Sequence, residues 1–200
     1  PAGDTLNNAD IFVSDTDRNP VTLRSVQNDD VKTSVEWMDI PFVCQVFDES
    51  EGVDEFVKFE SIQDAIDYIY HKGWADQREI QMIDNCSIES SVEPHPGQDI
   101  VLTTAQGIVI DDEPLETATI SRGKDGIAMF NLDPAASFTL KNVSFDGGGS
   151  TQSGSIFVVN NLTASLTLAD DGNGHVPTLT NNFKSGNGSA IDLESGTLNS

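Results

Sequence analysis

Residues 126–140 (GIAMFNLDPAASFTL) and 154–168 (GSIFVVNNLTASLTL) align without a gap at a separation of 28 residues. They share Gly126/Gly154, Ala136/Ala164, Ser137/Ser165, Thr139/Thr167 and Leu140/Leu168. Self-similarity at a fixed spacing of this size marks chains that stack one structural unit on the next. At ~3.3 Å of rise per residue the spacing holds three short strands and their corners, one turn of a coiled parallel sheet. Equivalent residues of successive turns then lie ~4.8 Å apart. The repeat thus predicts Leu166 and Leu168 stacked on Phe138 and Leu140, with Val143 and Phe145 in the same layer. Thr139 and Thr167 face outward as a hydroxyl ladder. A third, shorter copy (GSAIDLESGTL) starts at Gly188, 34 residues after Gly154. A β-sandwich also uses many short strands, but it does not predict a gapless repeat.

One helix is legible. In ESIQDAIDYIYHKGW, Ser61 is placed to cap and Asp64 follows three residues on. Ile62, Ala65, Ile66 and Ile69 make a single apolar stripe. Lys72 and Gly73 close the helix, predicted over 61–72. From about residue 79 the rhythm is one of short β-branched runs separated by turn clusters such as GGGSTQSG and DDGNGHVP. A coiled sheet has a raw end that must be covered, and the helix just upstream is suited to be that lid. Residues 1–55 read as a small β-rich cap or subdomain in which FVCQVF is the best strand, and residues 56–200 as the coil. The pattern breaks off in a strand-like run, so the coil is expected to continue in a longer protein.

The composition fits a turn-rich β protein: apolar residues are 37%, and Gly, Ser, Thr, Asn and Asp fill the difference. Thirty-three acids against ten bases give a formal net charge of −23. Nucleic-acid affinity rests on Lys and Arg neutralising phosphates, so nucleic acid is excluded as a partner, and anionic membranes are disfavoured for the same reason. No run reaches the ~18 apolar residues of a membrane span. Two cysteines, Cys44 and Cys86, leave one disulfide or two separate buried thiols open.

SIQDAIDYI with its following strand run resembles the cap helix and first coil of pectate-lyase-like right-handed β-helices. FTLKNVSFDGGG, SLTLADDGNG and NGSAIDLESGTL resemble coils of bacterial cell-surface adhesin-like proteins. The resemblance spans about residues 56–200 and implies a secreted, surface-held protein. The fold class expected is therefore all-β: a right-handed parallel β-helix (solenoid) with an N-terminal capping α-helix and a small irregular β region before it. Such coils serve lyases, hydrolases and adhesins alike.

Candidate chemistry is sparse. A polygalacturonase-like enzyme needs spaced carboxylates on stacked coils, whereas Asp170, Asp171 and His175 share one corner, DDGNGH. A lyase needs a base for the proton alpha to a carboxylate, and Arg122 and Lys124 flank a glycine in what reads as a turn. Asp111, Asp112 and Glu113 form a second acidic corner. The oxygen-rich corner at Asp170, Asp171 and Asn173 is the candidate calcium site, with Asp146 and Gly147–Gly149 as another. His71, His95 and His175 are scattered and give zinc no support. No catalytic residue is assigned. Trp74 is expected to pack the helix end and Trp37 to lie in the small β region. Asn85, Asn142, Asn161 and Asn187 head Asn-x-Ser/Thr sequons, meaningful only in a source that glycosylates Asn. The expected function is non-enzymatic: an extracellular, cell-surface adhesion or display module binding glycan or a host or neighbour-cell protein through outward ladders and corner loops. A carbohydrate-active enzyme fragment and a structural stalk are the alternatives.

Overall fold

The computed structural model describes residues 22–27, 33–38, 41–50, 55–74, 76–110, 112–133, 135–184 and 190–200. The chain divides into two compact units, Pro1–Pro41 and Phe42–Ser200. In the first, β1 (Thr22–Gln27) and β2 (Thr33–Met38) form an antiparallel pair with Leu23 opposite Trp37.

The second unit opens with β3 (Cys44–Asp48), which pairs antiparallel with β4 (Glu55–Phe59) on one edge and β5 (Arg78–Met82) on the other. Between β4 and β5 runs α1 (Ile62–His71). Ser61 stands in extended conformation before it and its Oγ accepts the N–H of Asp64 at 3.1 Å, satisfying one of the helix's orphan donors. The stripe Ile62, Ala65, Ile66 and Ile69 is buried and the helix packs on β3, β4 and β5. Gly73, at φ +68°, takes the left-handed position that ends the helix.

Eleven further strands follow among the described residues: β6 (Cys86–Ile88), β7 (Asp99–Thr104), β10 (Ala118–Arg122), β11 (Phe130–Asn131), β12 (Ser137–Leu140), β13 (Val143–Asp146), β14 (Phe157–Leu168), β15 (Thr178–Thr180) and β16 (Ile191–Asn199), with the hairpin of β8 (Val109–Ile110) and β9 (Glu113–Pro114) set between β7 and β10. One sheet of eight strands runs β4-β3-β5-β7-β12-β14, with β11 and β16 both pairing with β14. A second sheet of four parallel strands runs β6-β10-β13-β15.

The two copies of the repeat pair in parallel and in register: Phe138 with Leu166, Thr139 with Thr167, Leu140 with Leu168. The same inner columns extend back through Ile100 and Leu102 of β7. In the smaller sheet, Cys86, Ile120, Phe145 and Leu179 form one column. Between the sheets, Phe130, Phe138, Phe145 and Phe157 are fully buried, with ring centroids 5.0–5.6 Å apart in stacked, tilted and edge-on pairs, arrangements that the ring quadrupoles favour. Gly188 and Ser189, at the start of the third copy, lie outside the described residues. The rest of that copy forms β16, whose register with β14 shifts around Asn160.

The fold class expected from the repeat is corrected. The described residues form a mixed α/β arrangement, with a mixed eight-stranded sheet, a parallel four-stranded sheet and one helix, in place of an all-β right-handed parallel β-helix. The reason lies upstream of the repeat. β3 enters the large sheet antiparallel to both neighbours, and α1 delivers four side chains into the common core. A periodicity carried by residues 126–168 constrains the pairing of its own strands, not the direction of strands outside it.

Candidate functional site

The outer face of the large sheet is polar because strand alternation sends every second side chain away from the core. Three cross-strand rows result. Lys58, Gln45, Gln81 and Thr103 form one. Glu79, Val101, Thr139, Thr167 and Asn199 form the second. Asp99, Ser137, Ser165 and Thr197 form the third. Neighbours within them are hydrogen-bonded: Ser165 Oγ donates to Ser137 Oγ at 3.1 Å, and Asn199 Nδ2 to Thr167 Oγ1 at 3.3 Å. Gln45 Nε2 donates to Gln81 Oε1 at 3.0 Å within the first row, and Gln81 Nε2 reaches along β5 to Glu79 Oε1 of the second row at 2.7 Å. Each carboxamide is thereby fixed in orientation, and the chain ends on a carboxylate.

This relay lines an open cleft of about 400 Å³. Phe56 stands at one side, and its ring meets Phe47 edge-on at 5.1 Å. Thr103, Lys141 and Asp171 complete the far wall. A second cleft of about 380 Å³ adjoins it, since Gln106 and Asp171 line both. The second cleft lies among the loop after β7, the β8–β9 hairpin and the 170–175 loop, and its lining includes Ile108, Leu115, Glu116, Asn142, Asn173 and His175.

The 170–175 loop closes on its own acids. Asp170 Oδ1 accepts the N–H of Gly172 at 2.6 Å; Asp171 Oδ1 accepts those of Asn173 at 2.8 Å and His175 at 3.1 Å. Gly172 and Gly174 sit at φ +92° and +91°, where a side chain would strain the backbone. Asp171 Oδ2 lies 2.8 Å from His175 Nδ1. That contact, first, and the two amides hold the Asp171 carboxyl well below the usual carboxylate range, while Asp171 in turn raises His175. The calcium candidates Asp170, Asp171 and Asn173 therefore share one loop, with both carboxylates turned to its amides. Among the described residues no group of three or more His, Cys, Asp or Glu is placed to hold a metal. Asp146 Oδ1 is likewise engaged, with Gly148 N–H at 2.9 Å. Asp111 lies outside the described residues.

Other expectations resolve individually. His95 Nε2 lies 2.8 Å from Asp67 Oδ1 and its ring stacks on Tyr70 at 4.0 Å. Trp74 meets Tyr68 edge-on at 5.9 Å and carries the Arg78 guanidinium at 4.3 Å from its ring centre. The Trp37 side chain and Asn187 lie outside the described residues. Asn142 is buried, clasped by Thr117 Oγ1 at 2.7 Å and Glu116 O at 2.8 Å, which leaves no room for a glycan on it. Both cysteines are thiols.

Sequence reasoning missed Arg122, which reads as a turn residue but is 3% exposed. Its guanidinium gathers Gly147 O, Gly154 O, Ser155 O and Asn182 Oδ1 at 2.9–3.1 Å, together with Ile127 O. The signal was available: Ala118, Ile120 and Arg122 alternate on the buried face of one strand. Also missed was Asp48, whose carboxylate receives Lys72 Nζ at 2.8 Å, Ser50 N–H at 2.8 Å and the Tyr68 hydroxyl.

Compared with family models, with curated proteins and with solved structures, the chain has no match in any of the three. Among the described residues no helix is long and apolar enough to cross a membrane.

Proposed function

We propose that the chain is a non-enzymatic, extracellular adhesion or display module that binds glycan in the cleft on the outer face of the large sheet. One observation carries this reading: the oriented relay Gln45–Gln81–Glu79 lies in the same cleft as the exposed ring of Phe56. Sugars present vicinal hydroxyls, which act as donor and acceptor together, and an apolar C–H face. Carboxamides and carboxylates answer the first, and an aromatic ring answers the second. Orientation of the amides before binding lowers the entropic cost of association. The acid Asp171 on the far wall is held ionised by His175 and two amides, so at neutral pH it has no proton to give a leaving group. Such clefts bind weakly one at a time, and display of many copies on a surface multiplies their hold.

The test is a glycan array followed by calorimetry on the hits. Wild-type protein is expected to retain a subset of neutral glycans without releasing reducing ends or unsaturated products. Phe56→Ala and Gln81→Ala are each expected to weaken binding by about tenfold, the loss of one good contact of about 1.4 kcal/mol. Retention of no glycan, or steady release of new ends, would overturn the reading.

A further inference from the structure

The two sheets add strands in chain order, β5-β7-β12-β14-β16 and β6-β10-β13-β15, so β16 and β15 are their last strands at one end of the shared core. The columns of inner side chains run out there. Val159, Leu166, Phe157 and Phe145 are fully buried, but the residues paired beyond them open to solvent. Leu193 is 47% exposed and Leu198 41%, and Ile191 and Leu179 are half-buried. Among the described residues no strand pairs with the outer edge of β16 or of β15. The opposite end is closed, because α1 packs Ile62, Ala65, Ile66 and Ile69 against β3, β4 and β5. Unpaired N–H and C=O groups beside apolar side chains form a template for a further strand.

The charge of this end points to what the strand is. Residues 178–184 and 190–200 hold two acids, Asp192 and Glu194, and one base, Lys184, which pairs with Asp192. On a chain of formal charge −23 the end is nearly neutral, so a second copy meets less repulsion there than on the acidic remainder. With the far end closed by α1, an open end has only another open end to meet, and that contact is two-fold and closed. We infer that the outer edge of β16 pairs antiparallel with β16 of a second copy, making a two-fold dimer. A two-fold axis between Ser195 and Gly196 sets Leu193 opposite Leu198 of the partner subunit, so each continues an inner column of the other copy. In the same register Asp192 faces Asn199 of the partner subunit and Glu194 faces Thr197 of the partner subunit. No two carboxylates then oppose, which would destabilise a strand pair. The dimer forms without ligand and does not depend on the glycan reading.

Sedimentation velocity over a wide range of concentration tests the dimer. A reversible species of twice the 21.5 kDa chain is expected, tightening with added salt as the repulsion between two acidic copies is screened. Leu193→Asp and Leu198→Asp should each weaken it by roughly a hundredfold or more, since each would bury a carboxylate in the contact. Val109→Asp, which changes an exposed apolar residue of the β8–β9 hairpin, should leave it unchanged. Cross-linking reads the register with gentler variants. Under mild oxidation an equal mixture of Leu193→Cys and Leu198→Cys chains should give a disulfide-linked dimer that neither variant gives alone. A monomer at every concentration, or a dimer that loosens with salt or is lost equally in Val109→Asp, would overturn the inference. So would a mixture of the two cysteine variants that links no better than each by itself.

Discussion

His175 Nδ1 and Asp171 Oδ2 stand 2.8 Å apart across a loop of six residues whose two glycines both take left-handed backbone. The pair is a contact of ions only while Asp171 is ionised and His175 protonated. Asp171 is lowered by His175 and by backbone amides, so its contribution is present above an unfolded value of ~3.9 and is lost as pH falls through the depressed folded value. His175 is raised by Asp171, so its contribution is full below ~6.5 and is lost as pH rises through the higher folded value. An NMR titration of the imidazole should place the His175 midpoint above that of a free histidine, and Asp171→Asn should bring it down. A midpoint at the ordinary value in the wild-type chain would show that the loop does not hold the pair in solution.

Asp48 ties the end of β3 to the end of α1. Its carboxylate is 1% exposed and meets Lys72 Nζ at 2.8 Å, with the Tyr68 hydroxyl and Ser50 N–H on its remaining lone pairs. The Lys72 contact, first, then Ser50 and Tyr68, hold the Asp48 carboxyl far below its usual range. The stability this supplies is present above an unfolded value of ~3.9 and is surrendered as pH falls toward the depressed folded one. Thermal melts between neutral and strongly acid pH should therefore show a steeper loss for wild type than for Asp48→Asn. Lys72→Met should cost more at neutral pH than Asp48→Asn, because it leaves a buried carboxylate without its cation. Parallel melting curves for wild type and Asp48→Asn across the acid range would remove the argument.

Arg122 and Gly154 meet at one corner, and each explains the other. The guanidinium donates to Gly154 O at 3.0 Å, and a Cβ on residue 154 would lie 2.2 Å from Ile127 O and 2.7 Å from the Arg122 guanidinium. Gly154 also sits at φ +130°. Arg122→Met keeps the length of the side chain but strands several buried carbonyls, at about 3 kcal/mol. Gly154→Ala should cost a similar amount, about 3 kcal/mol, through backbone strain and collision. Gly149→Ala is the control: at φ +66° with open space around the new methyl, it should cost only about 1 kcal/mol. Urea denaturation reads all three. Equal losses for the two glycine variants would mean that the corner yields and Arg122 is not holding it.

What the sequence could reveal depended on how local the determinant was. The pairing of Thr139 with Thr167 was legible because both strands carry the same residues at the same spacing. The helix was legible because Ser61, Ile62, Ala65, Ile66 and Ile69 lie within nine positions of one another. The direction of β3 was not, since nothing in CQVFD distinguishes an antiparallel neighbour from a parallel one. The cleft on the outer face of the large sheet was hidden for the same reason. Gln45 and Gln81 are separated by 36 residues and become one hydrogen-bonded relay only through the register of β3 on β5. DDGNGH did place Asp171 beside His175, but its sequence could not show that the carboxylates would be spent on the loop's own amides.

Cys44 and Cys86 are expected to be slow thiols. Cys44 is fully buried, with Sγ 3.5 Å from Ser61 O, and burial first, then the neighbouring Cys86, pushes its pKa up. Cys86 is partly buried, and burial, then Asp84, pushes it up to about 12. Only the thiolate attacks an alkylating reagent, and at pH 8 a rise of that size from the ordinary value lowers the thiolate fraction roughly a thousandfold. Native protein should thus resist iodoacetamide under conditions that label a free cysteine within minutes, with Cys86 the faster of the two. In urea without reductant both should label at ordinary rates, adding two carbamidomethyl groups per chain by mass spectrometry. Rapid double labelling of the folded chain would mean that the core around α1 and β6 opens far more readily than its packing implies. Failure to label in urea until reductant is added would show that the two sulfurs are joined.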